Sequence, residues 1–230
     1  MNRLLYLFIL MSLTSLSVYG QTWKAGTIVS EDEVKTMSLD KWFVADTISS
    51  EIMTRIKGKS WDKGCTLSLN SLRYLKILHR NKEGETQRGE MICNKAIAAD
   101  LISIFRKLYE ADYTIERIVL IDEYDANDEL SMEANNSSCF NFRFVTGTRR
   151  VSKHGNGLAV DINPLYNPCY NTRNGKIEPA SAKQYIKNRT KKANVMIIDK
   201  QDLCYKLFIA HGFRWGGNWR TKKDYQHFEK

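Results

Sequence analysis

Two short stretches, far apart in the chain, carry residue types suited to binding a metal ion. Ser152 to Asp161 reads Ser-Lys-His-Gly-Asn-Gly-Leu-Ala-Val-Asp, and Asp224 to His227 reads Asp-Tyr-Gln-His. Gly155 and Gly157 permit backbone angles that other residues resist, so the chain can turn sharply after His154. Leu158 to Ile162 then has strand character, in which alternate side chains share a face. Leu158, Val160 and Ile162 are expected in the core, with Ala159 and Asp161 toward the site. His154 and Asp161 can thus converge on one ion, with His227 as the third ligand. Three such ligands plus water make a catalytic zinc arrangement. Asp224 is placed to accept a proton from water activated there and to return it to a leaving amine. Taken singly, each residue also fits a plainer role: a surface histidine, a turn-capping aspartate.

The surrounding elements must position these groups. Leu72 to His79 partly alternates and is expected to be a strand, followed by a polar, hairpin-like loop over Asn81 to Gly89. Asn94 fits a helix N-cap, and Ile97, Leu101, Ile104, Phe105 and Leu108 follow at helical spacing. Ile115 to Ile121 predicts a strand, and Asn127 to Cys139 a long polar loop of the kind that carries function. Phe140 to Val145 alternates as a strand and carries Arg143. That arginine is either a snorkelling surface residue or a cation for a substrate carboxylate or a developing oxyanion. Ser38-Leu39-Asp40 has the pattern of a short helix start, and Ala180 to Lys187 that of a short helix. Asp199 is expected to cap a helix over Lys200 to His211 that Gly212 stops. Phe213 to Trp215 is a short strand. His79 and His211 lack neighbours of metal-site type and are expected to be structural.

The run Ser152 to Asp161 resembles the Ser-x-His-x-x-Gly-x-Ala-x-Asp motif of the D-alanyl-D-alanine carboxypeptidase family. These are zinc peptidases of VanY type, and they include phage endolysins that cut L-alanyl-D-glutamate bonds. Asp161-Ile162-Asn163-Pro164-Leu165-Tyr166-Asn167-Pro168, Gly212 to Trp219, and Asp224-Tyr225-Gln226-His227-Phe228 are similar to the endolysin-related branch. The resemblance runs over roughly Leu72 to Phe228. It implies an α+β fold: a small single domain with a central antiparallel sheet flanked by helices, as in Hedgehog and DD-peptidases. It also implies zinc (Zn2+) on His154, Asp161 and His227, with Asp224 as general base. Arg143 matches the upstream arginine that assists substrate binding, and Ser152 the motif serine, in a substrate or supporting contact. Asp224 stands where the carboxypeptidase members have Glu, so the shorter carboxylate must sit closer to the water. The implied substrates are peptide stems of bacterial peptidoglycan. The bond cut is left open between D-Ala-D-Ala and L-Ala-D-Glu.

Met1 to Gly20 has the form of a secretory signal: Arg3, an apolar core from Leu4 to Leu13, then Val18 and Gly20 before Gln21. The expected mature chain is one domain, residues 21–230, exported to the periplasm or beyond the cell, with no later membrane-spanning run, and monomeric. The formal charge of +9 favours polyanionic surroundings such as a cell wall. A nucleic-acid partner is not expected, because Lys and Arg are scattered rather than striped. Five cysteines without a C-x-x-C exclude a thiolate zinc finger and leave room for one oxidised pair. Cys93 and Cys204 sit in apolar patterns and are expected to be packing residues. The rival reading is a non-catalytic cell-wall-binding module with a structural metal.

Overall fold

Apolar residues crowd Leu72–Arg80 on both faces of an extended chain: Leu72, Tyr74, Leu75, Ile77 and Leu78 are all buried. Such a strand needs cover on both sides, and the chain supplies it. The computed structural model describes residues 23–62, 64–145, 147–187 and 189–230; the expected export signal lies outside them. In order, the chain forms α1 (Glu31–Lys35), β1 (Val44–Asp46), α2 (Ser50–Ile56), β2 (Leu72–Arg80), β3 (Thr86–Asn94) and α3 (Lys95–Glu110). It continues through α4 (Asp128–Glu133), β4 (Ala159–Asp161), β5 (Cys169–Asn171) and β6 (Ile177–Glu178). The last elements are α5 (Gln184–Lys187), α6 (Leu203–Ala210), β7 (Arg214–Trp215), β8 (Lys222–Asp224) and β9 (His227–Glu229).

The class is α+β, as expected. Among the described residues the strands form three antiparallel three-stranded sheets, ordered β1-β2-β3, β4-β9-β7 and β6-β5-β8, rather than one central sheet. The asparagine side chain of Asn94 accepts from Ala96 N at 3.0 Å and starts α3. The predicted stripe of that helix is buried and packs with Leu75, Ile77 and Leu78 in the main core. Val160, Ile162, Trp215 and Phe228 belong to the same core, so the short strands β4, β7 and β9 share it. A second cluster holds Leu72, Tyr74 and Ile92 against Ile52, Ile56, Phe140 and Phe142.

Several elements differ from expectation. The hairpin turn spans only residues 81–85, because Thr86 to Gly89 pairs with β2. Its polar sequence conceals this: Arg88 is buried, its guanidinium beside the rings of Trp23 and Trp42. Ile115 to Ile121 is not a strand. Its hydrogen bonds go to scattered partners: Ile115 N to Arg80 O, Ile118 O from Glu90 N, and Arg117 O from Ser137 N. No continuous ladder can form. Phe140 to Val145 behaves likewise, with Phe140 N donating to Ile92 O, Phe142 N to Ser60 O, and a single bridge from Phe144 to Val151. The expected loop at 127–139 contains α4, capped by Asn127 Oδ1 on Leu130 N. Asp202, not Asp199, caps α6, accepting from Cys204 N and Tyr205 N. Gly212, at φ +82°, ends the segment as predicted. Ala180 to Lys187 is helical, its first half a 3-10 turn, and Ser38 precedes a 3-10 turn over Leu39–Trp42. All five cysteines are free thiols, and Cys93 and Cys204 are buried.

Candidate metal centre

Strand register brings the first two donors together. β4 and β9 pair antiparallel with Asp161 opposite His227, Val160 opposite Phe228 and Ala159 opposite Glu229. Direct partners share a face. Val160 and Phe228 therefore fill the core, while Asp161 and His227 project side by side from the other face. The Asp161 Oδ1 to His227 Nδ1 distance is 3.1 Å.

His154 reaches the pair from the glycine loop. Gly157 sits at φ +64°, and a side chain there would stand 2.7 Å from Asn94 N. Close docking is the reason for glycine: Asn94 N donates to Gly157 O at 2.8 Å, and Asn94 Nδ2 donates to Asn156 O at 3.0 Å. Gly155 serves differently. A Cβ there would meet Val151 Cγ1 at 2.7 Å and Arg143 O at 2.9 Å, so close approach rather than dihedral freedom demands it. The Ser152 hydroxyl accepts from Gly155 N at 2.9 Å and ties the turn.

The His154 ring is oriented from behind. Nδ1 lies 2.7 Å from the Cys139 carbonyl. A carbonyl only accepts, so Nδ1 carries the hydrogen and Nε2 points inward. Nε2 stands 3.1 Å from His227 Nδ1 and 3.3 Å from Asp161 Oδ2. Tetrahedral zinc with bonds of about 2.0–2.1 Å separates neighbouring donors by about 3.3 Å. The donor set and its spacing fit such an ion. Among the described residues, these three form the one group of His, Cys, Asp and Glu close enough to share a metal.

Charge is strongly organised here. Burial opposes ionisation of Asp161, yet His154 and His227 hold its carboxyl well below the usual carboxylate range. Burial likewise opposes a proton on His227, but Asp161 and Glu229 push it up to about 10. The pocket is thus built to hold positive charge among its donors.

Arg143, Ser152, His154, Asp161, Asp224 and His227 all line one cleft of about 820 Å³. Asp224 lies at the end of β8, opposite Cys169 of β5. Its Oδ2 is 3.3 Å from Lys222 Nζ, and its Oδ1 is buried without a hydrogen-bond partner. Gly216 is what lets it approach: a Cβ there would stand 2.8 Å from Asp224 Cβ and 3.3 Å from His227 Cβ. Arg143 donates from Nε to Asp128 Oδ2 at 2.7 Å, and Asn141 Nδ2 holds the other Asp128 oxygen at 3.0 Å. This clamp leaves the Arg143 Nη1 buried and unpartnered.

Sequence reasoning missed the supporting groups. The Cys139 carbonyl leaves no signal in residue type. Asp128 lies in a stretch whose polar composition predicts a loop. Glu229 was detectable, since it stands two residues beyond His227 and a strand repeats its faces every two. His79 and His211 lie away from the centre, His79 Nδ1 donating to Ile115 O and His211 contacting Leu207 O and Ser103. No helix among the described residues is long and apolar enough to cross a membrane. No curated protein and no solved structure matches the chain. Residues 146–230, less than half of the chain but including Ser152, His154, Asp161, Asp224 and His227, match the family model described as D-alanyl-D-alanine carboxypeptidase.

Proposed function

We propose that the chain is an exported zinc peptidase that hydrolyses peptide stems of bacterial peptidoglycan. The observation that carries this reading is the convergence of His154 Nε2, Asp161 and His227 Nδ1, 3.1–3.3 Å apart, on an open cleft. The match over residues 146–230 supports this choice of substrate class. Zinc held by these residues would polarise a peptide carbonyl and lower the pKa of water to about 7. Asp224 takes a proton from the attacking water as its oxygen bonds to the carbonyl carbon. It then gives that proton to the amine nitrogen as the C–N bond breaks. The Arg143 guanidinium, anchored through Nε by Asp128, meets negative charge on the substrate with its remaining N–H groups.

A purely structural zinc usually has four protein ligands, and the group here has three among the described residues. That favours catalysis over a non-catalytic wall-binding module. The decisive experiment is mass spectrometry of muropeptides digested with zinc-loaded protein, alongside His154→Ala and Asp224→Ala. Cleavage by the wild type, none by His154→Ala and a loss of about 10²–10⁴-fold in Asp224→Ala are expected. Loss of terminal D-alanine indicates carboxypeptidase action, and release of peptides starting at D-glutamate indicates the endopeptidase. Binding to cell wall without cleavage, or full activity in either variant, overturns the reading.

A further inference from the structure

The two ring nitrogens of His227 face different surroundings. Nδ1 lies 3.1 Å from Asp161 Oδ1 and 3.1 Å from His154 Nε2. Nε2 lies 3.4 Å from Glu229 Oε2. Strand geometry dictates this arrangement, because β9 puts His227 and Glu229 on one face and turns Phe228 into the core. Glu229 is itself fixed. Its Oε1 accepts from Arg214 Nη2 at 2.7 Å, and Arg214 is its direct partner in the β7–β9 register. On the other side it faces Ala159 across β4, and the small side chain leaves space for the carboxylate.

We infer that Glu229, anchored by Arg214, is a positioning residue of the metal centre, taking the Nε2–H of His227 and so turning the Nδ1 lone pair toward Asp161 and His154. This rests on the metal-centre reading above and extends it to groups outside the ligand set. A neutral imidazole has one N–H, and a carboxylate only accepts. A cation entering at Nδ1 displaces the proton held there against Asp161, and with Glu229 in place the hydrogen that stays belongs on Nε2. Without it, Nε2 loses this acceptor, and the hydrogen can move to Nδ1, where it competes with the metal.

Zinc titration calorimetry on the wild type, Glu229→Ala, Glu229→Gln and Arg214→Ala tests this directly. Glu229→Ala should weaken zinc binding about 10–100-fold, the range for outer-sphere partners of ligating histidines. Glu229→Gln keeps an acceptor oxygen and should recover part of the loss. Arg214→Ala should cost less than Glu229→Ala, because it leaves the carboxylate present. Nitrogen-15 NMR of the zinc-loaded wild type gives a readout that needs no variant: Nε2 of His227 should carry the hydrogen and Nδ1 the metal. Wild-type zinc affinity in Glu229→Ala, or zinc on Nε2, overturns the positioning role while leaving the metal centre intact. A wild type that binds no zinc overturns both.

Discussion

The chain before residue 146 and the chain after it are built on different principles. The first contains β2 and β3, nine residues each and paired along their full length, and the sixteen-residue α3. The second has strands of two or three residues, tied by turns and side-chain hydrogen bonds. Long elements bury continuous apolar faces and hold themselves together. Short ones leave side chains free to converge, but need a frame. The first region provides it at specific points: Asn94 holds the glycine loop, the Cys139 carbonyl orients His154, and Ser138 bridges Asp161. The part that carries the donors is therefore only partly the part that fixes them: the first region holds His154 and Asp161, while Glu229 and Arg214 hold His227 from within the second. The family match, confined to residues 146–230, covers the donors and leaves out most of the frame.

The sharpest way to separate the two is Asp224→Ala. Activity on muropeptides should fall about 10²–10⁴-fold, the usual contribution of a general acid–base group. Stability should change by no more than about 1 kcal/mol, because the substitution removes a buried oxygen without a hydrogen-bond partner together with an ion pair to half-exposed Lys222. Thermal melts beside turnover rates check both. Loss of stability parallel to activity would mean that Asp224 belongs to the frame.

Leu101→Ala should do the reverse. Leu101 is fully buried on α3 against the main core. Its truncation should cost about 2–5 kcal/mol in denaturant unfolding, while zinc affinity of the folded fraction stays near that of the wild type. A large loss of zinc affinity at full folding would show that the frame tunes the centre continuously rather than merely holding it.

His79 tests the frame by pH. It is buried between β2 and the segment after α3, bonded to Ile115 O at 2.7 Å, and its Nε2 has no partner. Burial drops its pKa to about 4 from an ordinary 6.5. Above pH 6.5 both native and unfolded states are neutral at this residue. Between about 6.5 and about 4 the unfolded chain takes up a proton that the native state refuses. Stability should therefore fall as pH drops through this window, by at most about 3 kcal/mol from this group. Unfolding His79→Asn across the same range should remove that slope.

Legibility in the sequence follows the same division, though not uniformly. α3 is plain, because its apolar spacing and its Asn94 cap agree with each other. The donors are plain on different grounds: histidines and carboxylates at fixed spacing around small residues seldom arise from packing alone. What stays hidden depends on contacts distant in the chain. Ile115 to Ile121 has strand composition, yet its neighbours offer single hydrogen bonds rather than a ladder. Arg88 has the character of loop surface until Trp23 and Trp42 enclose it. Asp128 has no visible purpose until Arg143 and Asn141 meet its two oxygens.

Gly157→Ala addresses the seam between the two regions, with the smallest expected effect. The residue lies at φ +64°, and the added methyl would sit 2.7 Å from Asn94 N and 3.2 Å from the Cys93 carbonyl carbon. Backbone strain alone costs of order 1–3 kcal/mol, and the neighbour is backbone that cannot swing aside as a flexible side chain would. The loop must then lift from the start of α3, weakening the bond from Asn94 N to Gly157 O, and His154 moves with it. Stability should fall modestly and zinc affinity should fall as well, unlike Asp224→Ala, which spares stability, or Leu101→Ala, which spares the centre. Calorimetric zinc titration and thermal melting on the same sample read the two effects together. A drop in melting temperature at unchanged zinc affinity would mean that His154 is held by the Cys139 carbonyl alone and that the docking of the glycine loop serves the fold.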